Sequence, residues 1–394
     1  MQNMSRSKSL SSFKREDGRR SSLKGSLSIL IFNWKDVTNP AAGGGTYYTH
    51  RVAKYLVEKG YKVTLLCANY KDGRKRERID GVDIIRVGSK YTVYIKAFSE
   101  FLRNLRNKFN LVIDEINALP WLTPLYVKAP KIAFIHQTTK EALFKELNVA
   151  IATLLYFIEK ITLLFYRKLP FITVSPSVKE ELIKNGVPQN NIFVIYPGID
   201  VERYEEISEE KASFPLVLYL GRLKKYKGVQ NLIQAMKYVI KEKPEAKLLI
   251  AGRGDYRSKL EEMVKKLGLQ KTVGFRGYVS EEEKIHLLKK AWLLVIPSIK
   301  EGFGIVAIEA AICGTPTIGT NTLGLRDSII HGRTGFLVPY GKPRILAQKI
   351  CEILDNKKLR IYLSENAREW GRKFDWEKSL QQIETIIKQK ATAG

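Results

Sequence analysis

Twice along this chain, short runs of β-branched and leucine residues alternate with stretches of helical apolar periodicity, joined by loops marked with glycine or proline. This alternation constrains the fold more than any other feature. Strands separated by helices pair in parallel and carry the helices on both faces of the sheet, because a parallel pair needs a long crossover. In the first set, residues 27–32 read as a strand and 33–45 as a loop broken by Asn39-Pro40 and three glycines. Residues 46–58 follow as a helix whose apolar stripe is Tyr47, His50, Val52, Ala53, Leu56 and Val57; Gly60 ends it, and 62–67 is the next strand. Strands are further expected over 82–87, 111–113, 131–135, 171–174 and 191–196. The second set places strands at 216–220, 247–250, 273–275, 293–296 and 315–318, with helices over 229–241, 256–267, 281–290 and 304–313 between them. A last helical stretch, 370–389, follows a break at Phe374-Asp375.

At 394 residues the chain is longer than one hydrophobic core usually supports, so two domains are expected. The segment 201–213 is charged and nearly free of large apolar groups, which suits a boundary. The division reads as a disordered basic tail at 1–26, a first α/β domain at 27–205, a second at 206–372, and a terminal helix at 373–394. Both domains are expected to be doubly wound and to face a common cleft.

Composition narrows the setting. Hydrophobic residues at 44% and charged residues at 27% exclude a disordered chain. Cys67, Cys313 and Cys351 stand far apart, so they suggest neither a disulfide framework nor a metal site, and a reducing cytoplasmic compartment is expected. A formal net charge of +27 points to a polyanion or an anionic membrane surface, with basic surface composition as the plainer reading. No run reaches 18 consecutive apolar residues, so no membrane span is expected. Residues 142–169 are nonetheless unusually apolar, with Lys145, Glu159, Lys160, Arg167 and Lys168 at intervals. They read either as a buried helix pair or as a segment lying on a bilayer.

Four places carry chemistry. Gly43-Gly44-Gly45 joins the first strand to a helix, where glycine permits close approach and the helix start favours an anion; the plainer reading is a flexible turn. Arg222 and Lys227 lie in the loop GRLKKYKG directly after a strand, where open α/β sheets bind ligands; a solvated basic loop is the alternative. The segment PSIKEGFGIVAIEA (297–310) puts Glu301 in a polar loop, the Gly302, Phe303 and Gly304 amides at a helix start, and Glu309 one turn inside. A glutamate flanked by Ile308 and Ala310 needs a partner if buried. His136 ends a strand and offers a neutral imidazole to a hydroxyl or carbonyl, unless it is an incidental loop histidine. No HxxxH or His-Asp cluster and no DxD motif near a strand end suggests a metal site.

With GRLKKYKG, AGRGD at 251–255 and the triple glycine in register, PSIKEGFGIVAIEA resembles the two-glutamate motif of the retaining family-four glycosyltransferases (glycosyl transferases group 1). The likeness runs over residues 29–376 and implies the GT-B fold, two Rossmann-like domains with a final helix returning to the first. It implies a nucleotide-diphosphate sugar as donor, no metal or other cofactor, and a glycan or lipid-linked acceptor. Residue by residue, Arg222, Lys227, Gly44, Gly45 and the 302–304 amides would hold the diphosphate, and Glu309 the ribose. Glu301 and His136 would meet the transferred sugar, while Phe275, Arg276, Gly277 and Tyr278 would form the nucleobase pocket. The chain departs from the pattern at Pro197-Gly198, where Asn-Gly is common, and at His136-Gln137, where His-Asp is common; Asp327 stands near the place of a donor-side glutamate.

The expected activity is therefore transfer of a hexose, mannose or glucose, with retention by a front-face route. The expected place is the cytoplasm or the inner membrane face. Two alternatives share parts of this pattern. A GT-B-like sugar-nucleotide epimerase would use the diphosphate site without an acceptor. A nucleic-acid-binding protein would need aromatics interleaved with Arg/Lys on one face, which the sequence does not show, and no nucleic-acid partner is expected. A non-catalytic scaffold is disfavoured because Arg222, Lys227, Glu301 and Glu309 are all present.

Overall fold

A computed structural model describes residues 26–117, 119–138 and 140–392, so the expected tail at 1–26 lies, but for Ser26, outside the described residues. The first sheet comprises β1 (Ser28–Phe32), β2 (Lys62–Ala68), β3 (Arg76–Ile79), β4 (Val82–Val87), β5 (Leu111–Ile116), β6 (Lys131–Ile135), β7 (Phe171–Thr173) and β8 (Ile192–Val194). Its spatial order is β3-β4-β2-β1-β5-β6-β7-β8, parallel except for β3 against β4. The second sheet comprises β9 (Leu216–Leu220), β10 (Lys247–Ala251), β11 (Val273–Gly277), β12 (Leu293–Ile296), β13 (Thr317–Thr320) and β14 (Gly335–Val338). It is wholly parallel in the order β11-β10-β9-β12-β13-β14. Each sheet reverses its winding direction once, beside β1 in the first and beside β9 in the second. Crevices at the carboxyl ends of the strands open at these reversals.

Several elements differ from the expectation. β3 carries the sequence RERI and is exposed or half-buried throughout, so it lacks an apolar signature. The tight turn Asp80-Gly81, with φ of 49° and 79°, pairs it with β4 as a two-residue hairpin. β5 runs three residues past its expected end, because Asp114 and Glu115 are both fully buried. The Gly44–Glu58 helix starts two residues early and takes in two glycines. The stretch 343–369, for which no elements were expected, is covered by the helices Pro343–Asp355 and Lys357–Gly371; the last helix is Trp376–Thr392, and Trp370 belongs to the one before it. The charged 201–213 stretch is not a bare linker, since its first half is the helix Val201–Glu206 with Tyr204 buried.

The 142–169 region forms the helices Lys140–Glu146 and Val149–Tyr166, separated where Asn148 accepts a hydrogen bond from the Ile151 amide at 2.9 Å. Against the expectation from apolar run length, Val149–Tyr166 is long and apolar enough to cross a membrane by length and composition, with mean hydropathy 1.7. Its packing is inverted relative to a core helix, as only 22% of it is buried.

The two domains are joined by more than the chain. Tyr196, Phe303 and Phe374 form a ring cluster with centroids 5.3–5.4 Å apart, and Trp370 adds an edge contact to Phe374 at 5.0 Å. The last helix returns to the first domain. There Tyr55 and Tyr61 donate to Glu384 at 3.1 and 3.0 Å, and Trp376 lies 5.5 Å from Tyr48. Gly198 explains the Pro-Gly pair at that crossing, since a Cβ there would fall 2.3 Å from the Trp376 Cα.

Candidate active site

The polar loops noted in the sequence leave the carboxyl ends of β1, β6, β9 and β12, and the two sheets bring those ends face to face. The β12 loop contributes most. Lys227 donates to Glu301 at 2.6 Å, and the two side chains are only 15% and 14% exposed. Beside them Arg222 donates to the Tyr226 hydroxyl at 2.8 Å. Gly302 sits so close to the first domain that a Cβ would fall 2.1 Å from the His136 carbonyl oxygen. Its own carbonyl accepts from Ser175 at 2.7 Å. Gly304, in the left-handed region at φ 79°, opens the helix Ile305–Ile312 without a side-chain cap; Ala307 donates to the Gly304 carbonyl at 2.8 Å, which leaves the Ile305 and Val306 amides for a ligand. Phe303 is buried in the ring cluster that bridges the domains, so its side chain is structural there.

On the first-domain side, Gly44 and Gly45 are the first residues of the Gly44–Glu58 helix, which also begins without a side-chain cap. A Cβ on Gly45 would lie 3.1 Å from the His136 ring, so glycine and imidazole pack together. His136 Nε2 lies 3.2 Å from Glu115 Oε1, and the Tyr48 ring meets the imidazole edge-on at 5.0 Å. Glu115 is fully buried and also accepts from Thr49. A carboxylate beneath the imidazole holds its orientation and favours a proton on Nε2. Glu115 was not singled out from sequence. Its only signal was an acidic pair at the end of an apolar run.

Glu309 has the partners its burial requires. It accepts from Lys284 at 2.6 Å and from the Tyr204 hydroxyl at 3.0 Å. Burial, followed by the charge of Glu309, drives the Tyr204 phenol far above its ordinary value, so it stays a donor. Lys284 is held above its ordinary value as Glu309 and Glu281 outweigh its burial. Across the cleft Tyr47 is half exposed, and its phenol is raised by burial and by Tyr278 and Glu281. Of the expected nucleobase residues, Gly277 accepts from the Gly252 amide at 2.6 Å and ties β10 to β11. Tyr278 is exposed beneath the Arg253 guanidinium at 4.6 Å. Arg276 pairs with Glu283 at the surface, with 59% of its side chain exposed.

Asp327, which the sequence puts near the place of a donor-side glutamate, accepts from the Ser177 amide at 3.1 Å, at the start of the Pro176–Lys184 helix of the first domain. It clasps the domains. Lys300, beside Glu301, does the same: its ammonium pairs with Glu181 and donates to Thr138 at 3.0 Å, and Thr138 donates to Glu181 at 2.8 Å. Glu146 of the Lys140–Glu146 helix accepts from the Tyr226 amide at 3.1 Å, next to Lys227. Among the described residues, no group of three or more His, Cys, Asp or Glu is arranged to hold a metal ion.

This chain matches two family models, Glycosyltransferase Family 4 over residues 42–203 and Glycosyl transferases group 1 over residues 200–370. It is 30% identical over 391 residues to an uncharacterized glycosyltransferase of Methanocaldococcus jannaschii, covering 92% of this chain and 98% of the relative. Among solved structures it resembles the sucrose-phosphate synthase of Thermosynechococcus elongatus, with a TM-score of 0.77 and 22% identity over 93% of this chain and all of that one. It also resembles the Anabaena protein HepE in complex with UDP-glucose, with a TM-score of 0.74 and 18% identity over 92% of this chain and 100% of that chain. These likenesses give the GT-B fold.

Proposed function

The chain belongs to the group 1, family-four glycosyltransferases and uses a nucleotide-sugar donor, and from that premise we propose that it transfers a hexose, with retention, to a glycan or lipid-linked acceptor. The observation that carries this reading is the Lys227–Glu301 pair, held under the His136 carbonyl by the close approach of Gly302. In the proposed reaction the acceptor hydroxyl oxygen bonds to the anomeric carbon on the face from which the nucleotide diphosphate leaves. The bond from that carbon to the diphosphate oxygen breaks, and the hydroxyl proton passes to the departing phosphate. Negative charge grows on the leaving diphosphate. Arg222, Lys227 and the open amides of the two uncapped helices supply fixed donors where that charge develops. Neutralisation is thus assigned to side chains and amides, without a metal. Glu301 and His136 are assigned to the sugar, Glu309 to the ribose, and Tyr278 with Tyr47 to the base.

The helix Val149–Tyr166 supports a peripheral place at the inner membrane face. Leu154, Phe157, Ile161 and Leu164 are each more than half exposed, whereas Glu159 and Tyr166 face inward. The Tyr166 hydroxyl donates to Asp114 at 2.5 Å, which fixes the helix to the domain and turns its apolar stripe outward. Exposed Lys160, Arg167 and Lys168 accompany the stripe, as an interfacial helix on anionic lipid requires.

The test incubates the protein with labelled UDP- and GDP-sugars, a membrane-lipid extract and a chelator, and follows label into the organic phase. Transfer from one donor, lost in Glu309→Ala, supports the reading and names the sugar. Donor turnover with label only in water-soluble products sinks the lipid acceptor. Sedimentation with anionic vesicles, lost in Leu154→Glu/Phe157→Glu with donor binding intact, checks the membrane placement.

A further inference from the structure

The carboxyl ends of β1, β2 and β4 enclose a hollow of about 450 Å³ that the donor reading leaves unused. Trp34, Lys35, Tyr70, Lys71, Ser89 and Lys90 line it, and no carboxylate is among its lining residues. Three lysines thus converge from three strand ends on one space. Burial first, then the charges of Arg222, Lys224 and Lys90, holds the Lys35 ammonium below its ordinary value.

The acidic groups behind this lining are already paired. Asp36 accepts from Arg86 at 2.7 and 3.0 Å, and neither side chain is exposed. Arg86 also donates to Glu77 at 2.8 Å and lies 5.3 Å beneath the Tyr70 ring. The Tyr70 hydroxyl is 2.7 Å from Thr38, in the loop that carries Trp34 and Lys35. The nearby acids are therefore spent: Asp36 and Glu77 on Arg86, Asp255 on Lys224, and Glu301 on Lys227. What remains is a basic hollow with two aromatic walls. Lys35 donates to the Ala41 carbonyl at 3.0 Å and so is already ordered.

We propose that this hollow seats a phosphate group carried by the acceptor, with Trp34 and Tyr70 against the body that bears it. The inference rests on the transferase reading and names its acceptor class. A phosphate dianion matches the site better than a carboxylate, because three oxygens can meet ammonium groups arriving from three directions and two negative charges offset more of the cluster. The phosphate belongs either to a free polyol or sugar phosphate or to a lipid headgroup.

The test keeps the donor site filled. Calorimetric titration of glycerol 3-phosphate into the UDP-saturated protein should show saturable binding, and uncharged glycerol should show none. Lys35→Met/Lys90→Met should weaken that binding at least tenfold and change UDP affinity less than twofold. Absence of binding to the UDP-saturated protein overturns the proposal. So does a parallel loss of UDP affinity, which would give these lysines to the donor. Labelled transfer to water-soluble phosphates or to phospholipid headgroups then identifies the source. In either case the double variant should raise the acceptor KM with little change in kcat, and an unchanged KM overturns the site. A wild-type protein with no transfer at all would remove the transferase reading, while the calorimetry would still decide the phosphate site.

Discussion

Removing the Glu181 carboxylate should loosen the two domains more than removing its partner, and the asymmetry follows from burial. The Lys300 side chain is 2% exposed and the Glu181 side chain 12%, and they meet between a loop of the second domain and a helix of the first. Breaking one partner of a buried ion pair costs about 3–5 kcal/mol, mostly because the remaining charge stays desolvated. In Lys300→Met the surviving carboxylate keeps the Thr138 hydroxyl at 2.8 Å and has an edge to water, which places the loss near the lower bound. In Glu181→Gln the ammonium keeps the Thr138 hydroxyl at 3.0 Å but sits where water hardly reaches, which places the loss above that of Lys300→Met within the same range. Replacing both, as in Lys300→Met/Glu181→Leu, removes both charges and should recover most of the loss. Equilibrium urea unfolding followed by tryptophan fluorescence measures all three. Since Glu301 adjoins Lys300, kcat/KM for the donor should fall at least tenfold in Glu181→Gln, for which about 1.4 kcal/mol of lost loop positioning suffices. A loss below about 1 kcal/mol, in the range of an exposed pair, or strictly additive single and double variants would refute the reasoning.

Three further outcomes are expected. Gly302→Ala should abolish transfer and open the cleft, because the new Cβ collides with the His136 carbonyl backbone; small-angle scattering would show the expansion, and a compact, active variant would contradict it. Burial, opposed by Cys313 and reinforced by the charges of Arg368, Arg360 and Lys289, lowers Lys211 to about 7, where its ammonium donates to Ala291 and Thr315. Between that value and 10.5 the unfolded chain binds more protons, so wild-type stability should rise with pH through this window by about 3–5 kcal/mol, and Lys211→Met should flatten the slope. Asp114 is raised to about 6 by burial, despite hydrogen bonds from Tyr166 and Thr123. Here the folded chain binds more protons between 3.8 and 6, so stability should fall by about 3 kcal/mol as pH rises through that range, and Asp114→Asn should remove the trend in pH-dependent thermal melts.

The sequence by itself determined the parts of this protein that depend on local periodicity. Alternating apolar runs and helical stripes specify two parallel α/β domains, because each strand's crossover partner is adjacent in the chain. The loops with Arg222, Lys227, Glu301 and His136 were legible because they follow strand ends, where such sheets bind ligands. The edge strand β3 was not legible, since its residues are charged and only the Asp80-Gly81 turn marks it. Tertiary structure alone decided which charges meet. Glu115 under His136, Lys284 and Tyr204 on Glu309, and Lys300 on Glu181 lie 21 to 119 residues apart in the chain, so no spacing announces them. It also set Asp327 against the first domain and the Val149–Tyr166 stripe outward. A buried charge is placed by the partner that offsets its desolvation, and that partner is known only once the two sheets face each other.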